Sequence, residues 1–126
     1  MKKMLKWLAN ELNEAGIEYH LNRNGKSKPT YPYFVGELFP VDPVSESGMQ
    51  EYSLLLDGFT RSTLTELLEC AEQIEERFPR VEGNTAILEN NQAVAAYFSG
   101  CQPVETGEEQ LKRVTVTITI KTWKER

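Results

Sequence analysis

The sequence predicts an α+β domain: a mostly antiparallel sheet with helices packed on one face, in the order helix, strand, strand, helix, strand, strand, with room for one further strand. Three observations carry this. Two amphipathic stretches, one over 3–15 and one opening at Thr63, repeat their apolar residues at helical spacing. Val114, Val116, Ile118 and Ile120 alternate with Arg113, Thr115, Thr117, Thr119 and Lys121, a period of two that gives one core face and one polar face. Helical and strand-like segments also fall in separate runs rather than in strict alternation. At 126 residues the chain fits a single domain, residues 1–126, whose core needs no disulfide or metal staple.

In the first helix Met4, Leu5, Leu8, Leu12 and Ala15 share one side, with Asn10, Glu11, Asn13 and Glu14 on the other. Gly16 is placed to take the left-handed conformation that ends it, and Ile17 to fold back on its last turn. Ile17, Tyr19 and Leu21 then alternate with Glu18 and His20, room for a short strand before the polar loop from Asn22 to Thr30. Tyr31 to Phe39 is aromatic and β-branched and reads as a strand that stops at Pro40. Pro32 must sit at its start or on an edge, because proline cannot donate to a ladder. The prolines, acids and glycine from Pro40 to Gly48 are too stiff and polar for a strand and too long for a tight hairpin. They predict an exposed arm over 40–50 that joins two antiparallel strands.

The second of these, Glu51 to Phe59, holds Leu54, Leu55 and Leu56 in a row, which predicts cover on both faces over part of its length. Asp57-Gly58 reads as a bulge or turn at the strand end; it lacks the second acid and the multi-glycine spacing that phosphate chemistry needs. Thr63-Leu64-Thr65-Glu66 fits a capping box, in which the threonine hydroxyl accepts from a first-turn N–H and the glutamate reaches back. Leu64, Leu67, Leu68, Ala71, Ile74 and Phe78 share one face of the helix that follows. Glu69, Glu72, Glu75 and Glu76 share much of the other, and Pro79 ends it. Thr85 to Leu88 and Ala93 to Phe98 flank Asn90-Asn91 as a hairpin, and Gly100 to Pro103 reads as a loop before the final strand.

Charge narrows the function classes. The net charge of -5 divides into +3 over residues 1–30, -12 over 31–110 and +4 over 111–126. An acidic middle argues against sequence-independent nucleic-acid binding and suits a protein that meets copies of itself or other proteins. Lys6, Asn10 and Glu11 interrupt the apolar run that an export signal would need, and no stretch is long and apolar enough to span a membrane. Cys70 and Cys101 lie far apart without a C-x-x-C, so free thiols are expected and a zinc site is not. Asp42, Glu46 and Glu51 have no EF-hand spacing and read as a solvated arm.

Candidates for catalysis are few. His20 has no nucleophile or orienting carboxylate near it in sequence. Cys70 borders an acidic helix whose glutamates oppose thiolate formation, and Cys101 lacks a base. The polar face of Thr115, Thr117 and Thr119, flanked by Arg113, Lys121 and Trp123, either is solvated or lines a contact with another subunit. From the residues alone the expectation is an α+β domain with an interaction role.

One resemblance extends this. TYPYFVGEL over 30–38, EYSLLLDGFTR over 51–61, the acidic helix ending at Phe78-Pro79, AVAAYF over 93–98, PVETG over 103–107 and LKRVTVTITIK over 111–121 together cover nearly the whole chain. In this combination the sequence resembles the small tail-terminator, or tail-completion, proteins of long-tailed bacteriophages and prophages, particularly of Gram-positive hosts. The resemblance implies a non-enzymatic protein without cofactor or metal. It implies a ring, typically a hexamer, on the head-proximal end of the tail tube, where it stops tube polymerisation and meets the head-completion or connector protein. Such a protein works in the host cytoplasm during assembly and then at the neck end of the virion tail. Unlike charged segments suit unlike patches meeting around a closed ring, and an acidic lumen lets DNA pass without sticking. The expected interface elements are the arm around Asp42, Pro43, Val44 and Met49 and the basic final strand at Arg113 and Lys121. Two other classes stay open: a neighbouring neck component such as a head-completion protein, and a cytosolic enzyme or small-molecule binder using Cys101 or the acidic arm.

Overall fold

The computed structural model describes residues 2–23, 25, 30–41, 48–89 and 91–123. The chain runs α1 (Lys2–Glu14), β1 (Tyr19–Leu21), β2 (Tyr33–Pro40), β3 (Met49–Thr60), α2 (Leu64–Arg77), β4 (Asn84–Ile87), β5 (Ala93–Val104) and β6 (Lys112–Trp123). The strands form one sheet ordered β1-β2-β3-β6-β5-β4. All neighbours are antiparallel except β1, which runs parallel to β2 from Tyr19↔Phe34 to Leu21↔Gly36. The α+β class stands, but the sheet is mixed and the predicted order gains β1. Parallel pairing needs a connection long enough to carry the chain back to its starting end, and the 22–32 segment is that connection.

Both helices pack on the same side of the sheet. Met4, Leu8 and Leu12 of α1 and Leu67, Ala71 and Ile74 of α2 join Leu54 and Leu56 of β3 and Val114, Val116, Ile118 and Ile120 of β6 in one core. The period-two pattern of the last strand is therefore its burial pattern. Leu55, expected to be covered, stands half-buried on the opposite face, because β3 alternates like its neighbours and the helices cover one face only. The α1 terminus forms as expected. Gly16 has φ +83° and its N–H donates to the Asn13 carbonyl at 3.0 Å, while Ile17 N–H donates to the Leu12 carbonyl at 3.0 Å and its side chain is buried.

Four local expectations change. The capping box is half formed: Thr63 Oγ1 accepts from Glu66 N–H at 3.3 Å, but the Glu66 carboxylate turns to Thr60 and accepts from its hydroxyl at 3.0 Å. Thr60 is buried at the end of β3 and this bond satisfies it. Asp57-Gly58 makes neither bulge nor turn, since β3 continues in register through Thr60. Gly58 is instead an indentation for Phe34: a Cβ there would meet the Phe34 ring at 2.4 Å. Pro40 belongs to β2 rather than stopping it, on the outer edge that β1 does not reach.

The fourth change concerns Cys101, which lies in β5, not in a loop. The bulge falls between Phe98 and Gly100, with Phe98 opposite Ile118 and Gly100 opposite Thr117. The extra residue, Ser99, shifts the alternation by one, so that Cys101 comes opposite Val116 and turns toward the core. Pro103 is tolerated because this half of β5 extends beyond β4 and its outer edge carries no strand.

A polar clamp ties α1 to α2 and β4. Arg77 Nη2 donates to Glu11 Oε2 at 2.6 Å and also to Glu14, and Asn84 Nδ2 donates to Glu11 Oε1 at 2.7 Å. Burial alone would raise the Glu11 pKa, but the Arg77 and Asn84 donors outweigh it and hold the carboxyl below its usual value of 4.5. A pKa lowered by folding adds stability that is fully present above the unfolded-state value and is lost as pH falls through the folded-state one. Arg77→Met is expected to cost about 1–2 kcal/mol at neutral pH, less than a fully buried pair because about a third of Arg77 stays in water. Urea denaturation across pH should also show a shallower loss below pH 4.5 in this variant than in the parent.

Candidate functional site

The face of the sheet opposite the helices is the candidate surface. Strand register sorts it into rows that run across the strands. At one end Tyr33, Phe59, Arg113 and Val104 stand side by side; at the other stand Met49, Trp123, Ala93 and Ile87. Between them the rows are mostly polar, with Thr115, Thr117 and Thr119 along the middle strand.

The first end is aromatic and tied up in its own contacts. Tyr33 lies 5.4 Å from Phe59 and 5.5 Å from Tyr31 between ring centroids. Arg113 places its guanidinium 5.7 Å from the Phe59 centroid and pairs with Asp57 Oδ2 at 3.1 Å. Thr115 Oγ1 donates to the other Asp57 oxygen at 2.7 Å. Arg61 donates to Tyr31 Oη at 3.4 Å and lies 3.9 Å from Glu108. His20 meets Tyr33 edge-on at 6.3 Å. Contrary to expectation it has a neighbouring carboxylate, Glu18 Oε1 at 3.2 Å from Nε2, because residues two apart along extended chain point the same way.

The other end is apolar and open. Ile87 is 72% exposed and Trp123 36%, with Phe39 and Val41 also exposed. Lys121 stands in the adjoining row with its Nζ 5.9 Å from the Tyr97 ring centroid. Of the expected interface residues, Met49 and Lys121 thus come together here, while Arg113 sits at the opposite end of β6. Asp42, Pro43 and Val44 lie outside the described residues, as does Glu46. Sequence reasoning missed Ile87 and Ala93. Their signal was the apolar content of the predicted hairpin, but only register places them beside Trp123.

A second feature was also missed. A groove of about 580 Å³ runs between the β5–β6 turn and the start of α2, with Leu64, Pro103, Val104 and Leu111 among its lining residues. Thr106 organises the turn: its hydroxyl donates toward the carbonyls of Glu108 and Leu111, each at 2.9 Å, and accepts from Glu108 N–H at 3.1 Å. Thr106-Gly107 between two strand-like runs was the sequence cue.

The two thiols are set back from this surface. Burial, with Glu66 and Glu69 nearby, pushes the Cys70 thiol up; burial, with Glu75 nearby, does the same for Cys101. Among the described residues no group of three or more His, Cys, Asp or Glu is placed to hold a metal ion, and no helix is long and apolar enough to cross a membrane.

No family model matches the sequence, and no curated protein matches it. Among solved structures, a chain from the virion of a native gene transfer agent (GTA) particle superposes with a TM-score of 0.62 at 12% identity, over 88% of this chain and 83% of that one. The fold is shared with a virion part. A second solved structure, whose name states no activity, superposes with a TM-score of 0.70 at 11% identity, over 99% of this chain and 94% of that one. At these identities the likeness is one of fold, and it takes in nearly the whole α+β unit.

Proposed function

We propose that the chain is a structural protein of a phage-like particle and works as a tail terminator, a ring subunit at the head-proximal end of the tail tube that stops tube growth and joins tail to head. The observation that carries this reading is the fold shared with the gene transfer agent virion chain over 88% of the sequence. The segment-by-segment resemblance to tail terminators supplies the finer assignment. Further support comes from the sheet face, which presents apolar and polar rows suited to protein contacts, and from two thiols whose pKa burial and nearby glutamates push up, which opposes thiolate formation. The ring is a hexamer without cofactor or enzymatic activity. Its partners are other copies of itself, the tail-tube protein below and the head-completion protein above, and DNA passes through its lumen.

Mixing the chain with polymerising tail-tube protein tests the proposal. Electron microscopy should show rings at one end of each tube, and tube length should fall as the ratio of this chain to tube protein rises. Tubes that grow to the same length without rings, at equimolar chain, would remove the terminator assignment.

A further inference from the structure

Two features of the described residues are unlike in chemistry and lie at opposite ends of β6, about 33 Å apart at the rise of an extended strand. One, the ridge, is the apolar row of Met49, Trp123, Ala93 and Ile87 on the sheet face, with Lys121 in the adjoining row. The other is the groove, whose apolar lining of Leu64, Pro103, Val104 and Leu111 is accompanied by three exposed carboxylates, Glu105, Glu108 and Glu109. The two cations that also line the groove are already engaged. Lys112 Nζ donates to the Glu109 carbonyl at 2.9 Å, and Arg113 pairs with Asp57.

We propose that copies of this chain join head to tail, the apolar row of one copy seating in the groove of the next with Lys121 facing the groove's glutamates. This rests on the ring reading above and names its subunit contact. Three properties match. An exposed indole and an exposed isoleucine need apolar cover, and a groove of about 580 Å³ has the capacity to take side chains of that size. Charge is complementary, a lysine on the ridge and three exposed carboxylates around the recess, of which Glu108 also faces Arg61 at 3.9 Å. The two surfaces are also different from each other and distant, so contact between them is heterologous: an open row of copies keeps one free ridge at one end and one free groove at the other until it closes. A ridge pairing with itself across a two-fold axis would stop at a dimer and leave the groove empty.

Sedimentation velocity on the full chain from micromolar to millimolar concentration, without tube protein, tests this. Two variants leave the core untouched: Trp123→Ala truncates the ridge, and Glu105→Lys, at an exposed groove residue, places a like charge in front of Lys121; circular dichroism checks that both fold. Wild-type protein is expected to form species larger than a dimer. Each variant alone should need at least tenfold higher concentration to associate. An equimolar mixture should recover dimers and nothing larger, because it holds one intact ridge and one intact groove. A wild type that ends at dimers, one that stays monomeric throughout, or a mixture that behaves as the sum of its parts would overturn the proposal. So would a Trp123→Ala variant that self-associates normally and loses only its hold on tube protein. Tube capping is read separately by electron microscopy. Caps formed equally by wild type and both variants would sink the head-to-tail contact and leave the ring standing; intact head-to-tail association without caps would sink only the terminator assignment.

Discussion

Truncating Phe34 to alanine is expected to remove about 3–5 kcal/mol of folding stability, read as a lower urea midpoint at unchanged slope. The reason is where this ring stands. Phe34 is 1% exposed and sits in β2 directly opposite Gly58 of β3, so its ring lies across the backbone of the neighbouring strand. On its other side lies β1, joined to β2 at Phe34 and, through the Asn22 N–H that donates to the Gly36 carbonyl at 2.8 Å, at Gly36. Tyr19 is its register partner, and Phe34 N–H donates to the Glu18 carbonyl at 2.8 Å. Removing the ring opens a cavity between β1, β2 and β3 that their backbones cannot close without breaking ladder hydrogen bonds. β1 is a three-residue edge strand beside that cavity, so amide exchange at Tyr19 to Leu21 should accelerate more than exchange in β6. A loss below about 1 kcal/mol would mean that the site collapses around the missing ring.

How far the sequence discloses this structure depends on the range of the interaction that decides each element. α1 and its terminus, the start of α2 at Thr63 and the alternation of β6 are set by residues within a turn or a few pleats of one another, and all three are legible. Gly58 and Cys101 are misread because their roles depend on partners far away in the chain. The glycine accommodates a ring from β2, and the cysteine's direction is fixed by a bulge whose only local mark is Ser99-Gly100. The same distinction applies to the candidate surface. Lys121 and Met49 could be singled out as members of a basic strand and an arm, but their meeting with Trp123 and Ile87 is a consequence of register across four strands. The groove depends on the β5–β6 turn standing over the first turn of α2, and no periodicity encodes that approach.

Gly58 offers the sharper test, because the sign of its substitution should depend on Phe34. In the wild-type background Gly58→Ala places a Cβ 2.4 Å from one ring carbon of Phe34 and 2.5 Å from another, well inside contact distance. Neither group can yield easily, since the glycine is held in register on both sides, by β2 and by β6, and the ring is packed in the core. The expected cost is about 1–3 kcal/mol, the usual range for overpacking. In the Phe34→Ala background the obstruction is gone. Alanine then has only its advantages over glycine in a strand, a smaller entropy loss on folding and a methyl group that partly fills the vacated space, so Gly58→Ala should stabilise by about 0.5–1 kcal/mol. The coupling between the two positions is the sum of these opposite effects, about 1.5–4 kcal/mol, far above the few tenths expected of independent sites. Urea denaturation of the four proteins in this cycle measures it directly. Additive effects would show that Gly58 is required by the backbone itself and not by the ring lying on it.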